Sequence, residues 1–180
     1  MLPLTEKELE KLVNNFEPRV VPKKTILVQA GKAADEIYYL RSGCIRLYYL
    51  KEGVDISAYF FTEKMFAGAY DSFITQTPSR HYLETTEDSE IRSISYPSFQ
   101  RLLREYPELN AVVRKILEER FVDLHNLFTS QILDSPEERY QNLMTHRPDL
   151  LNRIPQHQLA TFLGVTPVSL SRIRSRISKK

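Results

Sequence analysis

A chain of 180 residues, of which 42% are hydrophobic and 27% charged, can bury a core but is too short for two full-size domains. This composition excludes disordered and collagen-like chains. The single cysteine, Cys44, excludes an intrachain disulfide, an iron–sulfur cluster and a cysteine-rich zinc site.

Charge is unevenly distributed along the chain, whose net charge is +2. Residues 151–180 carry six basic and no acidic residues, which leaves 19 basic and all 23 acidic residues for the first 150. The two parts therefore have net charges of +6 and −4. A short basic segment on an acidic body is typical of a module that binds a polyanion.

The sequence contains no signal for export or membrane insertion. No apolar run approaches the roughly 20 residues that span a bilayer. The first ten residues carry three glutamates, where a signal peptide would be basic and then apolar. We therefore expect a cytoplasmic protein that does not contact a membrane.

The first predicted element is a short helix that begins at Thr5. Thr5 and Glu8 have the spacing of a capping box. Apolar residues then recur at helical intervals, namely Leu9, Leu12, Val13 and Phe16. Pro18 and Pro22 are expected to end this helix.

From Val20 to about Tyr96 the sequence changes to short runs of β-branched and aromatic residues separated by turn glycines. Four such runs are residues 25–28, 36–40, 44–50 and 55–61. Short strands at this spacing predict an antiparallel barrel or sandwich, with Cys44 packed inside it. Residues 65–83 break the alternation and predict a short helix followed by an exposed loop.

Three helices are predicted next. The first covers Ser98 to Tyr106, and the second begins with Pro107 in its first turn and runs to about Leu133. The third has Ser135 as its N-cap, Pro136 at its first position and an end near His146, before Pro148.

The long second helix has an apolar stripe wider than one contact face needs, which indicates a partner. The alternative is that this helix packs only on its own barrel. The apolar positions are Leu109, Val112, Val113, Ile116, Leu117, Phe121, Leu124, Leu127, Phe128 and Ile132.

Residues 156–176 have the pattern of two helices joined by a tight turn. Gly164 supplies the turn residue, Thr166 is a good N-cap, and Pro167 fits the first position of the second helix. The inward positions are Leu159, Ala160, Leu163, Val165, Leu170, Ile173 and Ile177.

The outward face of the second helix predicts contact with DNA. At 100° per residue this face is centred on Val168, Arg172, Ser175 and Lys179, with Arg174 and Arg176 beside it. A helix with a small, uncharged start and a central arginine suits the major groove, where Thr166 and Ser169 at its N-terminus would meet a phosphate or a base edge. The alternative is a helical hairpin with a solvated basic face.

Three motifs make the chain similar to the family of the cyclic-AMP receptor protein and the fumarate–nitrate reduction regulator (Crp/Fnr), which are bacterial transcription factors. They are residues 35–46 with Asp35-Glu36-Ile37, Gly43 and Ile45-Arg46, then Ser135-Pro136-Glu137-Glu138-Arg139-Tyr140, and Gln158-Leu159-Ala160 with Leu163-Gly164-Val165-Thr166. The last two are the more specific. The resemblance covers nearly the whole chain.

The resemblance implies an α+β fold with a cyclic-nucleotide-binding-like antiparallel β-roll, a long dimerisation helix and a C-terminal winged helix-turn-helix. The corresponding segments are a sensor domain over residues 1–106, the dimerisation helix over 107–133 and a DNA-binding domain over 134–180. The implied partners are double-stranded DNA, bound as two half-sites by a homodimer, an unknown small-molecule effector, and RNA polymerase as a further candidate.

The sequence departs from the family in the segment that binds the nucleotide. Family members that bind cyclic nucleotides use a Gly-Glu pair for the ribose and a later Arg-Ser or Arg-Thr pair for the phosphate. Here Gly68-Ala69 and Arg80-His81 occupy these places, so the arginine remains and the carboxylate is missing. Asp71 is the nearest acidic residue.

On the long helix, Leu124 and His125 stand where the cyclic-AMP receptor has hydroxyl residues for the base, so we do not expect cyclic AMP to bind.

Two further departures concern the C-terminal segment. Pro167-Val168 replaces the family's Arg-Glu pair at the start of the recognition helix, so the target sequence is expected to differ from that of the cyclic-AMP receptor. Only three residues follow Ile177, and few separate Asp149 from Gln156, so the wing should be small or incomplete.

An enzyme is the main alternative class, and the sequence gives it little support. The four histidines, His81, His125, His146 and His157, lie in separate segments without the spacing of a metal site. No catalytic motif or phosphate-binding loop is present among five glycines. We therefore predict no catalytic residues, no metal site and no cofactor.

Two other sensor types stay open. One binds a small molecule that is not a cyclic nucleotide, in a pocket that Tyr48, Tyr59 and Tyr70 can line together with Arg80 and His81. The other senses redox state through Cys44.

Overall fold

In this computed structural model, which describes residues 5–178, the chain forms eight strands and eight helices over that range. The strands are β1 (Glu17–Val21), β2 (Ile26–Val28), β3 (Glu36–Ser42), β4 (Ile45–Lys51), β5 (Val54–Phe61), β6 (Phe66–Ala67), β7 (Tyr82–Thr85) and β8 (Ser89–Ser95). The helices are α1 (Glu6–Val13), α2 (Tyr70–Thr75), α3 (Tyr96–Glu105), α4 (Leu109–Leu133), α5 (Pro136–His146), α6 (Pro148–Arg153), α7 (Gln156–Phe162) and α8 (Pro167–Ile177).

The strands form two antiparallel sheets, with the orders β1-β8-β3-β6 and β2-β7-β4-β5, which confirms the predicted antiparallel β-roll. Its core includes the fully buried side chains of Leu40, Ile45, Phe73 and Leu83. The predicted helix between residues 65 and 83 is α2. The loop after it is shorter than expected, because β7 already begins at Tyr82.

Helix α1 has the predicted start and a different end. Thr5 and Glu8 form the capping box, but the helix ends at Val13 with Asn14 as its C-cap. The prediction that Pro18 ends it was wrong, since Pro18 lies within β1 opposite Arg92. Proline is tolerated there because β1 is an edge strand, so that one side of its backbone needs no ladder hydrogen bond.

Helices α3 and α4 lie close to their predicted positions. Helix α3 begins two residues earlier than predicted because Ser95 is its N-cap. Pro107 precedes α4, in a turn in which the Leu109 amide donates to the Tyr106 carbonyl, so it is not in the first turn of the helix. Helix α4 is joined to α1 by an ion pair between Lys115 and Glu8 at 3.0 Å. In residues 5–178, no helix combines the length and apolar character that crossing a membrane would require.

The helical C-terminal part matches the prediction except for one added helix. Ser135 caps α5, Thr166 caps α8, and Gly164 has the positive φ of 70° that the tight turn between α7 and α8 needs. Helix α6 was not predicted, and it begins at Pro148 directly after α5 ends. Between residues 5 and 178 every strand precedes α3, so the helix-turn-helix has no wing strand in that range.

The helix-turn-helix packs on the outer face of the β-roll and shares a hydrophobic cluster with it. Phe60 of β5 contacts Phe162 of α7 edge to face, with ring centroids 5.4 Å apart. Cys44 is fully buried in the same cluster and not inside the roll, because it lies on the face that α5 to α8 cover. Thr161 completes the contact, since its Oγ1 accepts a hydrogen bond from the Ser57 amide at 3.1 Å.

Polar contacts around Arg153 surround this cluster. The Arg153 guanidinium donates to both carboxylate oxygens of Glu63, to the Gly43 carbonyl at 2.7 Å and to Glu87. Its hydrogen bonds hold the pKa of Glu63 below the ordinary value. Arg153 belongs to the basic C-terminal segment, but its charge is paired with Glu63 and Glu87 of the same chain.

Cys44 offers a direct measure of this packing. Burial raises the pKa of its thiol to about 11, so we expect slow reaction with a thiol reagent in the folded protein. Replacing Arg153 by alanine removes charge-assisted hydrogen bonds worth roughly 1.5 kcal/mol and should increase the labelling rate about tenfold. Labelling kinetics with Ellman's reagent measure this rate.

The matched control for the labelling experiment is Arg174→Ala, which removes an exposed arginine of α8. It should leave the rate unchanged. Rapid labelling of the unaltered protein would contradict both the burial of Cys44 and the packing of the helices over it.

Candidate functional sites

A cavity of about 550 Å³ lies between the β-roll and helix α4. Its walls are mainly apolar and come from α1, the roll and α4, for example Phe16, Phe61, Phe66, Val113 and Ile116. A largely apolar cavity of this size with a few polar side chains is the usual form of a small-molecule site.

Arg120 is the cation in this cavity, and it is only partly paired. Its guanidinium lies 4.9 Å from the ring centroid of Tyr59 and 5.2 Å from that of Phe61. Nη2 donates to the Phe66 carbonyl at 3.4 Å, whereas Nη1 is buried without a hydrogen-bond partner among residues 5–178. The charge of Arg120 also opposes the effect of burial, which raises the pKa of Tyr59.

His81 is a second polar group in the cavity wall. Its imidazole contacts the Tyr49 ring edge to face, and the residue is only 5% exposed. Its backbone amide donates to Ser79 Oγ, which in turn donates to the His81 carbonyl. Burial lowers the pKa of His81 and so favours the neutral imidazole, while the charge of Asp71 opposes this effect. Nε2 is buried and has no partner within the described part of the chain.

The structure brings together part of the predicted effector pocket. Gly68, Asp71, His81 and Leu124 line the cavity, and so do Tyr59 and Tyr70. The other predicted residues lie outside its lining. Ala69 is the buried N-cap of α2, Arg80 is exposed in the loop before β7, His125 is exposed and stacks on Phe121, and Tyr48 stacks on Tyr82.

Sequence reasoning missed Arg120, the cation of the cavity. A signal was present, because Ile116, Arg120 and Leu124 are four residues apart and therefore lie along one side of the helix. A single arginine inside an apolar stripe that faces a β-roll indicates a charge enclosed by the protein. The family resemblance instead pointed to Arg80, which stands at the phosphate position.

The outward face of α8 is exposed to solvent. Val168 is 61% exposed, and Arg172 and Ser175 are exposed as well. In residues 5–178, no carboxylate lies within ion-pair distance of Arg172 or Arg174. Lys179, the last residue predicted for this face, lies outside the described residues.

Two predicted contacts on α8 already have partners in the chain. Oγ1 of Thr166 accepts from the Ser169 amide at 3.2 Å and donates to the Ser169 hydroxyl at 3.0 Å. Arg176 pairs with Glu137 at 2.8 Å, although its side chain remains exposed. Of the residues predicted to contact DNA, Val168, Arg172, Arg174 and Ser175 are therefore the exposed ones whose side chains have no hydrogen-bond or ion-pair partner within residues 5–178 and remain available for a partner.

Residues 5–178 contain no cluster of three or more histidine, cysteine or acidic side chains that could hold a metal ion. The candidate sites described in this range are the cavity with Arg120 and His81 and the exposed face of α8.

Comparison with known proteins shows which domain the chain contains and which regulators it resembles. Residues 18–106 match the cyclic nucleotide-binding domain family. The cAMP-activated global transcriptional regulator CRP of Pasteurella multocida is 22% identical over 182 residues, which cover 95% of this chain and 87% of that protein. The c-di-GMP responsive global regulator CLP of Xanthomonas campestris has the same fold, with a TM-score of 0.76, 18% identity and coverage of 97% of this chain and 92% of CLP. FixK2 of Bradyrhizobium japonicum has a TM-score of 0.75 at 14% identity, covering 91% of this chain and 85% of FixK2. Residues 18–106 thus form a cyclic nucleotide-binding domain, and the chain is similar over nearly its whole length to transcriptional regulators of the Crp/Fnr family.

Proposed function

We propose that this regulator binds DNA through helix α8 and that it does so as a homodimer on two half-sites. The observation that carries the proposal is the outward face of α8, on which Val168, Arg172 and Ser175 are exposed to solvent. A recognition helix needs such a face in order to enter the major groove.

Position along α8 assigns a role to each arginine. Arg172 lies one turn after Val168 on the outward face, where its guanidinium fork matches the two acceptors on the major-groove edge of guanine. Val168 suits the methyl group of thymine. Arg174 and Arg176 lie beside this face and suit phosphates, and Arg176 would exchange its ion pair with Glu137 for one with the DNA backbone.

The proposed dimer uses one side of α4. Leu117, Phe121, Leu124 and Phe128 follow the alternating spacing of three and four residues that is typical of a coiled-coil seam. All four are exposed, with Phe121 at 72% and Phe128 at 65%. Large apolar side chains in one continuous line at this exposure favour a second copy of the helix.

The geometry of the cavity supports the proposal that cyclic AMP is not the effector. Arg80, at the family's phosphate position, is exposed and does not line the cavity. Asp71 lines the cavity, but it lies in the first turn of α2 and not at the ribose position, which Ala69 occupies. A nucleotide would therefore lack both of its charged partners.

Two substitutions in α8 test the assignment of roles. Arg172→Ala should cost roughly 1 to 3 kcal/mol on the preferred site and weaken its preference at one base pair per half-site. Arg176→Ala should weaken binding to every sequence similarly and reduce the salt dependence by about one ion per subunit. Selection of a site from random duplexes, followed by fluorescence anisotropy at several salt concentrations, separates these results. Equal losses on all sequences for both variants would contradict base reading by Arg172.

Replacing one seam residue tests the dimer. The unaltered protein should have about twice the 21.1 kDa mass of one chain in light scattering at micromolar concentration. Phe128→Lys places a charge in the apolar seam and should give a monomer. Val122→Lys is the control, because Val122 is also exposed on α4 but lies outside the seam, and it should remain dimeric.

Titration calorimetry with cyclic AMP and cyclic GMP tests the degenerate site. Loss of a charge-assisted hydrogen bond to the ribose alone weakens binding by roughly 1.5 to 3 kcal/mol, a factor of about 10 to 150. We therefore expect little or no heat of binding at micromolar ligand. A dissociation constant below micromolar for either nucleotide would show that another group replaces the missing carboxylate.

A further inference from the structure

We propose that the cavity under α4 binds an apolar carboxylic acid, whose carboxylate is held by Arg120 and whose body fills the aromatic and aliphatic interior. This inference names the ligand class for the sensor part of the proposed regulator. It does not depend on which DNA sequence α8 binds, since binding to the cavity is measurable without DNA.

The apolar walls of the cavity indicate that the part of the ligand beyond its head group is apolar as well. Side chains from the roll and from α4, such as Leu47, Phe61, Phe66 and Ile116, enclose about 550 Å³. A polar sugar or base in these surroundings would lose its hydrogen bonds to water without replacement, which is unfavourable. An alkyl chain or a phenyl ring instead gains from leaving water.

The unpaired guanidinium nitrogen of Arg120 indicates which head group the ligand carries. Nη1 is buried without a partner among the described residues, while the rest of the guanidinium rests on Tyr59 and Phe61. A buried donor that lacks an acceptor is costly, and the cost is greater when the group is charged. A ligand carboxylate supplies both an acceptor and the opposite charge.

His81 provides the second polar contact of the same cavity. It is nine-tenths buried, its Nε2 has no partner in residues 5–178, and its side chain lines the cavity. Burial disfavours a charge on the imidazole, and Nε2 can bond a hydroxyl or carbonyl group on the acid. Asp71, also in the lining, disfavours a second negative charge on this side, so the ligand is a monoacid.

Matched acid and alcohol probes test this proposal by titration calorimetry. The pairs are octanoate with 1-octanol and 4-phenylbutyrate with 4-phenyl-1-butanol, which differ within each pair only in the head group. We expect at least one acid to bind about tenfold or more tightly than its alcohol, since a charge-assisted hydrogen bond is gained. Arg120→Met should remove this difference by weakening the acid and leaving the alcohol within about twofold.

Arg114→Met is the matched control, because Arg114 lies on the same helix with its side chain 71% exposed to solvent. It should bind the acid as the unaltered protein does. Ala58→Phe fills part of the cavity and should weaken acid and alcohol alike, which locates binding even if Arg120→Met fails to fold. Circular dichroism and thermal melting establish the folding of each variant.

Three results would overturn the proposal. They are dissociation constants above about 1 mM for both acids, equal binding of acid and alcohol, and unchanged acid binding in both the Arg120 and Ala58 variants. The Arg172→Ala variant keeps this test separate from the proposed function, because it should lose DNA affinity while binding the acid normally. Acid binding without any DNA binding would leave the cavity assignment standing and remove the assignment of α8.

Discussion

The shared hydrophobic cluster between the β-roll and the helix-turn-helix is the contact on which the rest of the architecture depends. Helices α5 to α8 are short, and their core is completed by Phe60 and Cys44 from the roll. Arg153 then encloses the cluster with ion pairs to Glu63 and Glu87. The helix-turn-helix is therefore packed directly on the β-roll, with the face of α8 that carries Val168 and Arg172 exposed to solvent.

The cavity combines two properties that apolar cores normally avoid. Its walls are packed aromatic and aliphatic side chains, yet Arg120 and His81 each contribute a buried nitrogen that has no hydrogen-bond partner in residues 5–178. Native proteins satisfy most buried polar groups, and the exceptions concentrate at sites of function.

Much of this architecture was predictable because local chemistry determines it. The capping boxes at Thr5 and Ser135 and the positive φ of Gly164 follow from residue types at fixed spacings. Contacts between distant segments were not predictable in this way. The position of Pro18 in an edge strand, the burial of Cys44 under the helices and the enclosure of Arg120 all depend on tertiary packing, which periodicity does not encode.

Helix α4 is continuous and contacts both the cavity and the helix-turn-helix. Arg120 faces the cavity, and the Gln131 side chain donates to the Phe162 carbonyl beside the turn of the helix-turn-helix, at 3.1 Å. Eleven residues separate them, about 16 Å along the axis, and the helical period leaves them only about 20° apart around it. A small rotation of α4 at the cavity would therefore also move the group that contacts the turn between α7 and α8.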